Sequence, residues 1–297
     1  MRHWLYSCIA AVALLACGHP GGNNGDGGNG DGTGGNGDGG FGGLGDGMYS
    51  GTCTPGGATQ CADCADNDGD GKIDGFDPEC TGPADNREDS FATGIPGDNI
   101  DATWQDCFFD GNSGAGNDGC NQHVCCLLQL TKQQCADGGW PHAAQYNVNE
   151  CYQPFGSTPV PQKCIDVCAP LTPPGCDCFG CCTVCQTSND PTSCRDVILN
   201  PAVSPTCDST NITSNGADGV DGTGDEPCKR CVKNTQCGSS ECGGATCILC
   251  PGQDPSSLPP SCSGSSTCPT GIIACAADGS CAANTYCSNG CCIGAIL

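Results

Sequence analysis

Apolar side chains cluster once, near the start, where Leu5 to Ala16 is almost entirely apolar. That run is about twelve residues, shorter than the roughly 20 a membrane-spanning helix needs. From Gly18 to Gly47 apolar positions nearly vanish, and no period of two or of 3.6 can be found. Helical spacing appears over Val124 to Ala136. There Val124, Leu127, Leu128, Thr131 and Cys135 fall at i, i+3, i+4, i+7 and i+11, and Gly138-Gly139 follow. The spacing predicts one short helix over these residues. Lys163 to Ala169 predicts a second helical turn, ended by Pro170. The Pro-, Gly- and Cys-dense stretch Pro173 to Cys185 predicts tight turns. Between Cys207 and Cys292, short apolar pieces separated by turn residues predict small β-hairpins.

A pattern this thin cannot build a conventional core. Leu, Ile, Val and Phe are scarce and the net charge is −24. A chain of that kind without cross-links stays disordered. The sequence instead carries 34 cysteines, well above the level that marks a disulfide scaffold. Setting aside Cys8 and Cys17 leaves an even number. Bridges persist where the protein is exported, and each restricts the unfolded ensemble by about 2–4 kcal/mol in isolation. The predicted fold is therefore small and disulfide-rich: irregular, multi-lobed, with short β-hairpins, one or two short helices and no large hydrophobic core. The vicinal pairs Cys125-Cys126, Cys181-Cys182 and Cys291-Cys292 are expected to bond to separate partners. Cysteine parity is even from Cys107 to Cys194 and from Cys207 to Cys292. This predicts that Cys207 pairs across the Asp/Gly/Ser-rich stretch 208–225.

The N-terminus supplies the export signal. Met1-Arg2-His3-Trp4, the apolar run and Leu14-Leu15-Ala16-Cys17 resemble a bacterial lipoprotein signal. That resemblance implies cleavage before Cys17 and lipidation of Cys17. Residues 1–16 are then a signal peptide, and 17–50 are a lipidated tether of Gly, Asn and Asp in which GGNGDG recurs at Gly27, Gly34 and, altered, at Gly42. A flexible tether of thirty residues reaches roughly 30 Å.

Residues 51–90 form a module with Cys53, Cys61, Cys64 and Cys80, organised around Asp66-Asn-Asp68-Gly-Asp70-Gly71-Lys72-Ile73-Asp74-Gly-Phe-Asp77. Aspartates stand at places 1, 3, 5, 9 and 12 of twelve, with Gly71 at the sixth. Hard dications take six to eight oxygens, and alternating carboxylates on a tight loop supply them. The expected Ca²⁺ ligands are Asp66, Asp68, Asp70, Asp74 and Asp77, with Lys72 through its carbonyl, while Ile73 packs inward. Asp85, Glu88 and Asp89 are expected to be a solvated rim. The loop matches the EF-hand signature except for Asp77 in place of Glu, and it resembles thrombospondin type 3 and dockerin-type calcium loops. Pro78 stops any exiting helix.

Residues 91–206 and 207–297 are read as two cysteine-rich lobes, the second resembling, at its Asn284–Cys292 end, small cysteine-knot-like and Dickkopf-like modules. The CxxC pairs have zinc-like spacing at Cys228/Cys231 and Cys247/Cys250, but export favours disulfides. His123 is read as a surface or helix-start residue rather than a ligand. No nucleophile–base motif is present, and the acidic charge excludes nucleic acid as a partner. The whole arrangement resembles cysteine-rich surface lipoproteins of the myxobacterial type. It implies a location at the outer membrane or cell surface more than an activity; the leading expectation is a non-enzymatic, lipid-anchored protein that binds an extracellular protein or glycan. A secreted inhibitor or toxin-like module is the alternative.

Overall fold

A computed structural model of the chain describes residues 56–94, 100–111, 119–220, 224–238, 241–265, 267–276 and 280–295. Cys17, the tether and Cys53 lie outside them. Among the described residues no helix is long and apolar enough to cross a membrane.

The architecture is that of a small disulfide-rich fold. Among the described residues, three two-stranded antiparallel hairpins and three short helices are joined by 3₁₀ turns. Strand β1, Trp104–Gln105, pairs with β2, Gln122–His123. Helices α1, Val124–Leu127, and α2, Lys132–Asp137, follow, then α3, Gln162–Val167. Strand β3, Cys181–Cys185, pairs with β4, Cys194–Ile198, in the register Cys181 to Ile198 through Cys185 to Cys194. Strand β5, Thr285–Ser288, pairs with β6, Cys291–Gly294.

Among the described residues, half-cystines are the largest single class of buried apolar side chain. One cluster gathers them around Val124, Leu127, Tyr146, Tyr152, Phe179 and Ile198; a second centres on Phe91, Phe108, Val184, Val197, Leu199 and Ile212. Sulfur thus fills the space that Leu and Ile fill elsewhere.

The bridges fall into consecutive groups along the chain. Cys61–Cys80 comes first. Four bridges lie between Cys107 and Cys168: Cys107–Cys168, Cys120–Cys164, Cys125–Cys135 and Cys126–Cys151. Five lie between Cys176 and Cys237: Cys176–Cys182, Cys178–Cys237, Cys181–Cys231, Cys185–Cys194 and Cys207–Cys228. Cys242–Cys250 and Cys247–Cys262 form the fourth group, and Cys268–Cys291, Cys275–Cys287 and Cys281–Cys292 the last. Cys64 is also disulfide-bonded. Every vicinal pair divides between two partners, and Cys207 crosses 208–225 as parity predicts. Two bridges, Cys178–Cys237 and Cys181–Cys231, span the chain at residue 206.

Three local expectations are corrected. The helix predicted over Val124–Ala136 is broken in two. Gln129 takes a positive φ of 49°, and Thr131 starts α2 with a capping box to Gln134. The reason is covalent: Cys125 and Cys135 are ten residues apart, about 15 Å along a continuous helix, yet their Cα atoms are 5.9 Å apart. Pro173–Cys185 is not all turns, because Cys181–Cys185 forms β3 against β4. The helical turn predicted over Lys163–Ala169 begins at Gln162 and ends at Val167; a 3₁₀ turn, Ala169–Leu171, then takes in Pro170.

Candidate metal centre

The aspartate loop is built by its own side chains. Asp66 accepts hydrogen bonds from the Gly69 N–H at 2.6 Å and the Gly71 N–H at 3.1 Å. Asp68 accepts from the Asp70 N–H and Asp70 from the Lys72 N–H, at 2.9 and 2.8 Å. Gly71 has φ +91°, a conformation that side chains resist, so the sixth place needs glycine. The outcome is that one carboxylate oxygen each from Asp66, Asp68 and Asp70 lies within 4.8 Å of the others, at the exposed tip. The Lys72 ammonium sits 3.0 Å from Asp70 Oδ2. Ile73 is buried, as expected.

The other two expected ligands point elsewhere. Asp74 is fully buried, with its oxygens accepting from the Asp63 and Cys64 N–H groups at 3.1 and 3.2 Å. Asp77 is buried and accepts from the Glu79 N–H at 2.8 Å. The structure therefore gathers the first three aspartates and directs the last two into the protein.

What closes the loop is a residue the sequence reading placed on a solvated rim. Glu88 is fully buried, accepting from the Asn67 N–H at 2.7 Å and the Asp74 N–H at 2.9 Å, so its carboxylate ties the two ends of the loop together. Asp85 is buried too, accepting from Thr81 and from the Arg87 N–H. Both expectations are corrected; of the three, Asp89 alone is exposed, paired with Arg87. The reason is tertiary: the Cys61–Cys80 bridge turns the following segment back under the loop. Only that bridge spacing could have hinted at it.

Burial without countercharge raises these acids. Burial, then the Glu88 charge, pushes Asp74 up to about 7. Burial also raises Glu88 and Asp68. Asp77 and Glu79 both move upward, burial being the main cause, with the neighbouring Glu79 charge raising Asp77 further. Lys72 and Arg87 are the only lysine or arginine side chains between residues 56 and 94. A cluster so short of positive charge is one that a hard dication stabilises.

The sulfur-containing groupings offer no such chemistry. Cys120, Cys164, Cys237 and Cys275, Cys281, Cys292 come close together, as do Cys164, Cys168 and Cys178, but every one is in a bridge and none is a thiolate. Cys228, Cys231, Cys247 and Cys250 are likewise all bridged, so the zinc-like spacing holds disulfides. His123 is buried rather than at the surface, and it does start a helix. Its Nδ1 accepts from the Cys125 N–H, capping α1, while Nε2 lies 3.1 Å from the Pro141 carbonyl oxygen. Burial lowers its pKa.

No family model, no curated protein and no solved structure matches this chain. The density of bridges defines a stable, disulfide-rich module of the exported, extracellular kind.

Proposed function

We propose that this is a non-enzymatic, lipid-anchored cell-envelope protein whose calcium-stiffened, disulfide-stapled body binds an extracellular protein or glycan. The observation that carries the calcium reading is the convergence of Asp66, Asp68 and Asp70 within 4.8 Å on a loop preset by Gly71. The Lys72 carbonyl and water complete the shell. Loops of this extracellular kind bind Ca²⁺ at about 10⁻⁴–10⁻³ M, so the ion is structural. Anchoring rests on Leu14-Leu15-Ala16-Cys17 and the tether that follows. The binding surface begins beside the loop. An open hollow lined by Gln60, Asn67, Asp68, Asn86, Arg87, Asp89 and Gly94 carries amides, acids and a guanidinium suited to a polar ligand.

Calorimetry of the whole oxidised protein with Ca²⁺ tests the ion. Asp70→Ala abolishes the loop heat if the assignment holds; an unchanged isotherm removes it. Membrane fractionation of cells carrying Cys17→Ser tests the anchor. Release into the soluble fraction is expected, and retention in the membrane rejects lipidation at Cys17. Pull-down from envelope fractions with and without a chelator tests the binding role.

A further inference from the structure

Three bridges meet sulfur to sulfur in the larger core cluster. Cys164 lies in α3 and Cys168 caps its C-terminal end, with the Cys168 N–H donating to the Cys164 carbonyl at 2.8 Å. A spacing of four sets both side chains on one face of the helix. Each is bridged away from the other, Cys164 to Cys120 and Cys168 to Cys107. The Cys120 and Cys168 sulfurs nevertheless lie 3.3 Å apart. Cys164 Sγ lies 3.4 Å from Cys237 Sγ, which belongs to the Cys178–Cys237 bridge. Cys178 Sγ in turn falls within 4.8 Å of both the Cys164 and the Cys168 sulfur.

The bridges therefore form a row in contact: Cys107–Cys168, then Cys120–Cys164, then Cys237–Cys178. The ends of the row also come together. The Phe108 N–H donates to the Cys178 carbonyl at 2.8 Å, which sets the backbones at Cys107 and Cys178 side by side. All six cysteines are fully buried.

Contacts this short place each sulfur against a second sulfur it can bond. In thiol–disulfide exchange a thiolate attacks one sulfur of a bridge, a new S–S bond forms, and the other sulfur leaves as thiolate. Here a Cys237 thiolate attacks Cys164 Sγ. Cys164–Cys237 forms, Cys120–Cys164 breaks, and Cys120 carries the charge. Cys120 attacks Cys168 Sγ, so Cys120–Cys168 forms, Cys107–Cys168 breaks, and Cys107 is released beside Cys178. One thiolate enters and one leaves at each step. The oxidant of the export compartment, which would join Cys178 to Cys237, then joins Cys107 to Cys178 and removes the same two electrons and two protons.

We propose that these six cysteines form one exchange-linked set with two pairings on the same backbone. One is the pairing described above; the other is Cys107–Cys178, Cys120–Cys168 and Cys164–Cys237. The two differ in what they hold together. In the first, no bridge described above passes over residues 169–175, so the Cys107–Cys168 and Cys176–Cys237 groups are joined by packing alone. In the second, Cys107–Cys178 and Cys164–Cys237 lock these groups covalently. Burial keeps soluble thiols away from the row. The exchange runs when a thiolate arises inside it, as at Cys178 and Cys237 before their bridge closes. The row is thus a latch between two lobes, set by thiol chemistry during maturation. It does not depend on the calcium reading.

The test uses the whole exported protein carrying Cys107→Ser together with Cys178→Ser. Four of the six cysteines remain, and the two short contacts between bridges can pair all of them. Peptide mapping by mass spectrometry without reduction is expected to show Cys120–Cys168 and Cys164–Cys237, with no free thiol among the four. Any other state of the four, including an intact Cys120–Cys164 bridge, overturns the proposal. Because the double variant could fail to fold, Cys178→Ser alone gives an independent reading. It leaves one unpaired thiol, Cys237. The protein is held at about pH 8.5, the ordinary thiol value, then acid-quenched, unfolded and alkylated. The label is expected on Cys120 and Cys107 as well as on Cys237. Cys185→Ser serves as control, since the Cys194 sulfur it frees touches no second bridge among the described residues; its label should stay on Cys194. A label confined to Cys237, or one that spreads equally in the control, overturns the proposal.

Discussion

Asp177 shows how a single buried acid is set by opposing effects. Its Oδ1 accepts from the Phe179 and Cys181 N–H groups at 2.9 and 3.0 Å, and its Oδ2 from the Asn234 N–H at 2.7 Å. These donors favour the anion, yet complete burial outweighs them and lifts the carboxyl to about 7. In the unfolded chain it titrates near 3.9. The native state thus holds the proton more tightly. The stability this gives is complete below about 4 and is lost as pH rises through about 7. Asp177→Asn removes the titration while setting an amide NH₂ against one of the three donors. Denaturant melts should show the variant least stable relative to wild type near pH 4, with the gap narrowing toward pH 7; a widening gap would mean the N–H donors prevail. Lys72 carries a second prediction at this scale. Its ammonium competes with any ion for Asp70. An exposed pair of this kind is worth roughly 0–1 kcal/mol, so Lys72→Met should tighten calcium binding at the loop by about two- to fivefold in calorimetry.

Among elements, the break between α1 and α2 has a measurable cost attached. Thr131 accepts from the Gln134 N–H, and Gln134 accepts in turn from the Thr131 N–H. Thr131→Ala should lower stability by about 1 kcal/mol, read from a urea melt. Gly75→Ala should do more, because its Cβ displaces Cys287; amide exchange of β5 and β6 should then accelerate while that of β3 and β4 stays slow. Much of the bridging pattern was legible in the residues. Neighbouring cysteines rarely bond each other, so separate partners were expected, and parity directed Cys207 forward although Cys178–Cys237 and Cys181–Cys231 cross the boundary on which it was counted. The turn at Asp66–Lys72 was legible as well, since its hydrogen bonds are local and its glycine is obligatory. The helix break was not, because it depends on which cysteine Cys125 meets. Glu88 and Asp85 were not, because their burial is created by the chain folding back at Cys80. The inward turn of Asp74 and Asp77 was hidden for a related reason: their surroundings come partly from a hairpin more than two hundred residues away.

At the scale of the molecule, the bridges divide the described chain into self-contained stretches. No bridge among these residues passes over 263–267, whereas Cys178–Cys237 and Cys181–Cys231 pass over residues 200–206. A protease site inserted at Gly264 should therefore release the C-terminal piece in denaturant without reductant. The same site inserted at Ala202 should leave the halves joined until thiol is added. Non-reducing electrophoresis distinguishes the two, and a C-terminal piece retained after the first cut would contradict the grouping.

That grouping bears on how the protein matures. A chain threaded N-terminus first through a membrane presents its thiols to the oxidant in order. Each set can lock as soon as its last member emerges, before thiols from the next set arrive to compete. Four cysteines can pair in three ways and six in fifteen, and the choices multiply steeply when sets mix. Confining the search to successive short windows keeps a chain this rich in sulfur from scrambling, and leaves docking of the finished pieces as a late and reversible event.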